Sequence, residues 1–261
     1  MKVRTYADYI AAGETPEILF WVGCAGSFDQ RAQRVTKAFA KILEYAGVKF
    51  AVLGNEESCT GDPAKRAGNE FLFQLQASNN IAVLNGYEVK KIVATCPHCF
   101  NTIKNEYPAL GGNYEVLHHT QFLQSLINEG RLKIKGGFYK GKKITYHDSC
   151  YLGRGNGIYE APREVIAKLE ADLVEMRTCR SKGMCCGAGG AQVFKESEKG
   201  NKDINTARVE QAVETGATIV ASNCPFCMIM LQDGVKACGQ ENNMKIIDIA
   251  ELIAKAEDLI D

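Results

Sequence analysis

KKIVATCPHC (residues 90–99) and TIVASNCPFC (residues 218–227) are two versions of one segment. Each opens with a short apolar run rich in β-branched residues, the composition of a buried strand. Each run ends on a cysteine, Cys96 or Cys224, within a Cys-Pro-x-Cys turn. Proline suits the first position of a helix, where its missing N–H is not needed. Both segments therefore predict a strand that delivers a thiol to a helix N-terminus, whose dipole favours thiolate. Reading outward, Cys24 and Cys59 precede the first segment, and Cys150 and Cys185 precede the second. Each member of the set Cys24, Cys59, Cys96 and Cys99 recurs 126 or 128 residues later. Ligands must keep both identity and spacing, so the repeat predicts a duplicated thiol site for a soft metal, zinc or an iron–sulfur cluster.

The remainder of each half alternates strands with helices. In the first half EILFWVGC (17–24), KFAVLG (49–54) and YEVLHH (114–119) read as strands. RAQRVTKAFAKILEYAG (31–47) reads as a helix with Val35, Phe39, Ile42 and Leu43 on one face and a stop at Gly47. A second helix is expected from Pro63 to Asn79, with Phe71, Leu72 and Leu75 as its apolar stripe, and a last one over TQFLQSLINEG (120–130). The second half repeats the order. KKITYHDSC (142–150) is a strand, APREVIAKLEA (161–171) a helix, DLVEMR (172–177) a strand, and residues 201–215 a helix. MKIIDIAELIAKAEDLI (244–260) is a closing strand plus helix. The fold class that follows is α/β: two similar, pseudo-symmetric domains, 1–137 and 138–261, joined near Gly136 and Gly137. Each is a small parallel sheet flanked by helices. The cysteines then gather at the C-terminal ends of the strands, the edge where open α/β sheets bind ligands.

Composition narrows the chemistry. The chain has 261 residues, 46% of them hydrophobic, enough for one large or two modest cores. Its 31 basic and 31 acidic residues balance, which gives no reason to expect nucleic acid or an anionic membrane as partner. Eleven cysteines is an odd number, and the N-terminal residues do not read as a signal peptide. A cytoplasmic protein with metal-binding or catalytic thiols is expected rather than a secreted disulfide scaffold. No apolar stretch reaches the roughly 20 residues that span a bilayer, so any membrane association is expected to run through partner subunits.

Other readings of the thiols stay open on the residues alone. A lone Cys-Pro-His-Cys would indicate a metal-free thiol–disulfide oxidoreductase, but here partner cysteines recur at fixed distances. A zinc-stabilised interaction module would need only four thiols per site. The run Cys185-Cys186-Gly187-Ala188-Gly189-Gly190 is the most specific signal. Adjacent cysteines diverge and suit a cluster of several irons better than one tetrahedral zinc. The glycines allow backbone N–H groups close to the sulfurs. A phosphate loop is excluded because no Lys-Ser/Thr follows.

The pattern Cys150, Cys185-Cys186-Gly187, Cys224-Pro225-Phe226-Cys227 resembles the cysteine-rich CCG domain family. That family includes heterodisulfide reductase B and D subunits and the iron–sulfur subunits of glycolate and lactate oxidases. The resemblance covers nearly the whole chain. It implies a [4Fe–4S] cluster held by Cys150, Cys185, Cys186, Cys224 and Cys227, non-cubane in the heterodisulfide reductases. It also implies an oxidoreductase subunit that reduces a disulfide or quinone-type acceptor, or relays electrons. Ferredoxin-like iron–sulfur and flavoprotein subunits would be its partners. The first copy departs from the pattern, since Thr60 stands where Cys186 recurs. Cys24, Cys59, Cys96 and Cys99 remain, which suffice for a second iron–sulfur cluster or for zinc. Which residues act as catalysts is not assigned by the sequence. His147, Asp148 and Ser149 lead into Cys150 where Trp21, Val22 and Gly23 lead into Cys24, making the second site the more polar. His147 reads as a donor beside the cluster, as a proton source for a leaving thiolate, or as a strand-end histidine bonded to backbone. His118 and His119 read as packing residues, and His98 as pointing to solvent or a partner. Arg154 and Arg163 read most simply as surface charges, or as charges that offset a cluster, and Cys179 and Cys238 as ordinary residues.

Overall fold

The computed structural model describes residues 3–196 and 200–260. They form two compact units, Met1–Leu132 and Lys133–Asp261. Each contains a four-stranded, wholly parallel sheet among the described residues. The first is built from β1 (Ile18–Trp21), β2 (Phe50–Ala51), β3 (Lys91–Ala94) and β4 (Glu115–His118). Its strand order is β2-β1-β3-β4, with Phe20 beside Val93 and Val93 beside Leu117. The second contains β5 (Lys143–Tyr146), β6 (Asp172–Leu173), β7 (Ile219–Ser222) and β8 (Lys245–Asp248). It repeats the order as β6-β5-β7-β8, with Thr145 beside Val220. The α/β, pseudo-symmetric reading of the repeat is thus the observed architecture.

The central strands are apolar because helices cover both faces. Leu19, Phe20, Trp21, Ile92 and Val93 are buried, as are Ile144, Tyr146 and Val220. Burying each such side chain contributes about 1.5–3 kcal/mol. Helix Gln30–Tyr45 follows its expected face, with Val35, Phe39, Ile42 and Leu43 all buried. Asp29 caps it by accepting from the Ala32 N–H at 2.7 Å, and Gly47 leaves it at φ +65°.

Strand order places the ligand edge. The chain leaves the first central strand to one side and returns on the other, so the sheet direction switches between β1 and β3, and again between β5 and β7. A crevice opens at the C-terminal ends of strands at such a point. Cys24 follows β1 and Cys96 follows β3, while Cys150 follows β5 and Cys224 follows β7.

Several elements differ from expectation. KFAVLG and DLVEMR contract to the two-residue edge strands Phe50–Ala51 and Asp172–Leu173; short edges limit pairing with other chains. The helix expected over 63–79 is two, Asp62–Arg66 and Glu70–Gly86. Gly68 at φ +87° breaks them apart, and Asn69 caps the second by accepting from the Leu72 N–H. Its buried face is Phe73, Ala77, Asn80, Ile81 and Leu84, while Phe71 is 80% exposed, with Leu72 and Leu75 also outside. The expected stripe has the right period on the wrong face. Helix Tyr6–Ala11, closed by a Thr5/Asp8 capping box, is an addition to the expected elements. Among the described residues no helix is long and apolar enough to cross a membrane.

Candidate metal centres

In the second unit five thiols converge. The Cys186 and Cys227 sulfurs are 3.3 Å apart, and both residues are buried. Cys186 also hydrogen-bonds Cys185, Cys185 hydrogen-bonds Cys150, and Cys227 hydrogen-bonds Cys224. Cys185 is held well below the usual thiol range, because Cys150 and Cys186 donate to it and so does the Gly187 N–H at 3.2 Å. Its neighbours move the other way: Cys150 and Cys227 are raised, and Cys186 is pushed up to about 12, first by its hydrogen bond to Cys185. A set of thiols this close cannot all ionise unless a cation compensates them, so metal binding here releases protons. Gly187, at φ +95°, lets the loop turn; a Cβ there would meet Met230 at 3.3 Å.

Polar side chains surround these sulfurs. Ser149 Oγ lies 3.6 Å from the Cys227 sulfur and donates to Asn223, whose amide in turn donates to the Tyr146 hydroxyl. His147 is buried; its backbone N–H pairs with Ala221, and a ring nitrogen lies within 4.8 Å of the Cys186 and Cys227 sulfurs. Burial, then the adjacent Arg208, pushes its pKa down to about 3, so the ring is neutral. Arg208 is itself fully buried. Its Nε donates to His147 Nδ1 at 3.1 Å, and its Nη1 donates to the Thr178 carbonyl and to Gln211. Arg163, expected at the surface, is buried and doubly paired to Asp148 and to Glu175. Arg154 stays exposed and donates to the Gly183 carbonyl, tethering the approach to Cys185. Cys238 donates to the Thr206 carbonyl at 3.8 Å, and Cys179 opens the turn Arg180–Lys182.

The first unit repeats the plan with one thiol fewer. Cys24 hydrogen-bonds Cys59, and Cys96 hydrogen-bonds Cys99. Cys24 rises through its bond to Cys59, whereas the same bond draws Cys59 down to about 7. Thr60 fills the fifth place, with its hydroxyl 4.0 Å from the Cys99 sulfur, as Cys186 approaches Cys227. Gly23, the counterpart of Ser149, brings bare backbone to Cys99: an added Cβ would lie 3.3 Å from that sulfur. Glu57 accepts from the Gly23 and Val22 N–H groups and so fixes the turn that carries Cys24. His98, expected to point outward, is buried and pairs with Asp62 at 2.8 Å, and Asp62 also holds Arg66. That pair clasps the Cys59 loop to the Cys96 helix. His118 and His119 are buried, with their rings 4.4 Å apart between centroids and tilted by 59°, packed rather than placed among the thiols.

The family model for the "Cysteine-rich domain", CCG, matches residues 18–104 and 144–232. The chain belongs to the CCG cysteine-rich domain family. Each match covers one unit's thiol set, from β1 or β5 to beyond its Cys-Pro-x-Cys. Among relatives of this CCG protein, the "Probable iron-sulfur-binding oxidoreductase FadF" of Bacillus subtilis is 46% identical over 98% of the chain and 36% of that protein. The "EtfAB:quinone oxidoreductase" of Syntrophomonas wolfei is 45% identical over 94% of the chain and 35% of that protein. The D subunit of the "Dihydromethanophenazine:CoB--CoM heterodisulfide reductase" of Methanosarcina barkeri is 36% identical over 92% of the chain and 59% of that protein. The chain thus spans about a third of the length of the first two.

The donor sets can be weighed against the groups they would hold. Five soft donors, two of them adjacent in sequence, exceed the four that tetrahedral zinc takes, and suit a cluster of several irons. The first set, four thiols and a hydroxyl, fits either a four-iron cluster or zinc. Thr60→Cys would supply the missing fifth thiol beside Cys99. The expected outcome is a changed spectrum or metal content in the first unit alone, with the second unit's signal unmoved, as read by metal analysis and paramagnetic resonance.

Proposed function

We propose that this CCG protein is the iron–sulfur component of a larger redox assembly. Cys150, Cys185, Cys186, Cys224 and Cys227 would hold a [4Fe–4S] cluster in the second unit. Cys24, Cys59, Cys96 and Cys99 would hold a second cluster or zinc in the first. The convergence of five thiols at the switch point of the second sheet carries this reading, since disulfide exchange needs two sulfurs and zinc needs four. When bound, such a cluster accepts and passes on single electrons. The chain's own residues bury it, donate to its sulfurs from the Gly187 backbone, and offset its charge through the buried Arg208.

The similarity to relatives named as iron–sulfur and quinone oxidoreductases supports transfer toward a quinone-type acceptor. Electrons would come from a ferredoxin-like iron–sulfur domain or subunit, with a flavoprotein behind it. A second reading, reduction of a disulfide, draws support from the heterodisulfide reductase relative and from the polar second pocket. The test is purification without air, together with native partners, followed by iron, zinc and acid-labile sulfide analysis. Brown protein with about four irons and matching sulfide in the second unit is the expected result. Colourless protein that holds only zinc, or no metal, would overturn the proposal.

A further inference from the structure

We infer that His147 is a fixed N–H donor to a sulfur of the group bound in the second unit, that Arg208 holds it in that tautomer, and that Trp21 is the corresponding donor in the first unit. The inference rests on the redox reading above. Arginine N–H groups can only donate, so the Arg208 Nε contact at 3.1 Å makes His147 Nδ1 an acceptor. A neutral imidazole whose Nδ1 accepts carries its proton on Nε2. That Nε2 is buried and has no hydrogen-bond partner among the described residues, although the ring stands within 4.8 Å of two cysteine sulfurs. Buried donors are normally paired, and an orphan beside a ligand-binding crevice marks where a ligand's acceptor belongs. Arg208 Nη2 is a second such orphan on the residue that orients the ring.

The first unit repeats the observation with a different side chain. Trp21 precedes Cys24 by three residues, as His147 precedes Cys150. Its Nε1 is also buried and unpartnered among the described residues. A Cβ on Gly23 would lie 3.3 Å from the Cys99 sulfur and 4.0 Å from Trp21 Cδ1, the carbon bonded to Nε1, so the five-membered ring of the indole lies beside the same glycine that approaches Cys99. Tryptophan and histidine share little beyond a flat ring with an N–H. Indole does not ionise at ordinary pH, so the shared role is donation, not acid–base work. Tryptophan has one tautomer and needs no partner to fix it. Histidine has two, and Arg208 selects one. Arg208 is therefore a positioning residue and His147 the donor.

An N–H···S bond strengthens as the sulfur gains negative charge, so it favours the reduced state and raises the midpoint potential. The test uses the full chain, purified without air and titrated against potential by paramagnetic resonance. His147→Phe keeps a ring of similar size and removes the donor. Its second-unit reduction equilibrium should weaken about tenfold, about 59 mV for one electron, while the first unit's signal is unmoved. His147→Gln returns an amide N–H and should recover much of the shift. Arg208→Met should lower the potential in the same direction. Native protein labelled with ¹⁵N-histidine should show a nitrogen coupling in the second-unit signal, where His147 is the single histidine of that unit's sequence. This measurement needs no substitution, so a variant that fails to fold leaves the inference testable. Iron present with no such coupling, or with equal shifts in His147→Phe and His147→Gln, would overturn the inference alone. A second unit without iron would overturn it together with the redox reading.

Discussion

Cys186→Ser should empty the second unit of iron and leave the first unit's metal in place. Cys186 stands at the centre of the five-thiol set, buried and hydrogen-bonded to Cys185 on one side and to Cys227, at 3.3 Å, on the other. Serine preserves the size and removes the soft donor, and its hydroxyl is a poor ligand for iron at neutral pH. It also leaves a buried hydroxyl among the remaining thiols. The first set is built on another sheet from Cys24, Cys59, Cys96 and Cys99, and it already has a hydroxyl in place of a thiol at the equivalent position, Thr60. The expected loss is one cluster, about four irons per chain with the matching sulfide. Iron, sulfide and zinc analysis of the anaerobic protein reads the result directly, and paramagnetic resonance identifies which signal has gone. Equal loss from both units would contradict separate sites; full retention would remove Cys186 from the ligand set.

Much of this architecture was legible because the repeat writes it twice. Strand, cysteine, proline and helix follow one another at residues 90–99 and again at 218–227. Period and proline chemistry are local properties, and local properties can be read from one chain. Helix Gln30–Tyr45 was equally open to reading, because its stripe is apolar on one side only. Helix Glu70–Gly86 was not. Phe71, Leu72 and Leu75 have helical spacing, yet Phe73, Ala77 and Ile81 have it too, and a helix with apolar residues all round does not announce which side is covered. The segments packed against it decided it, through contacts distant in sequence: Asn80 donates to the Tyr107 hydroxyl, and Phe73 lies against Gly61. Gly68 and Asn69 were a break signal that a continuous stripe concealed.

The same division holds at the sites. Cysteine spacing shows which thiols belong together, and the structure brings both sets to the ends of their sheets. What spacing does not show is the shell. Arg208 lies 58 residues beyond Cys150 on a helix that looks like any amphipathic segment, and nothing local marks it as a buried partner of His147. Asp62 and His98 are separated by 36 residues, and the fold rather than any local pattern brings them together. The one advance signal was the polarity difference between His147-Asp148-Ser149 and Trp21-Val22-Gly23, which correctly marked the position where the shell differs. Charged residues such as Arg163 are usually solvated, so a surface assignment was the natural prior. A buried arginine requires buried acids, and those come from Asp148 and Glu175, 15 and 12 residues away.

That burial makes Arg163→Met the substitution with the largest expected effect on stability. Arg163 donates two hydrogen bonds to Asp148, at 2.8 and 2.9 Å, and two to Glu175, at 2.6 and 3.0 Å. Its guanidinium also lies 5.0 Å from the centroid of the Tyr146 ring. Methionine can fill part of the volume but leaves Asp148, nearly as buried as Arg163 itself, with the Arg180 N–H as its remaining donor among these contacts. Breaking a buried pair by removing one partner costs about 3–5 kcal/mol, because the other charge is stranded. For a unit of this size that corresponds to a fall of about 10 °C or more in the second unit's unfolding temperature. Asp148→Asn added to Arg163→Met should recover part of the loss, since asparagine removes the stranded charge and still accepts from Arg180. Calorimetry of the single and double variants measures both. A shift of about 2 °C or less in the single variant would mean that solvent reaches Asp148 and that the pair contributes little. The consequence extends to the metal site. Asp148 lies between His147 and Ser149, two residues before Cys150, so the pair with Arg163 fixes the strand exit that aims both the donor ring and the first thiol. Arg163→Met should therefore also speed loss of second-unit iron to a chelator, with the first unit's metal unaffected.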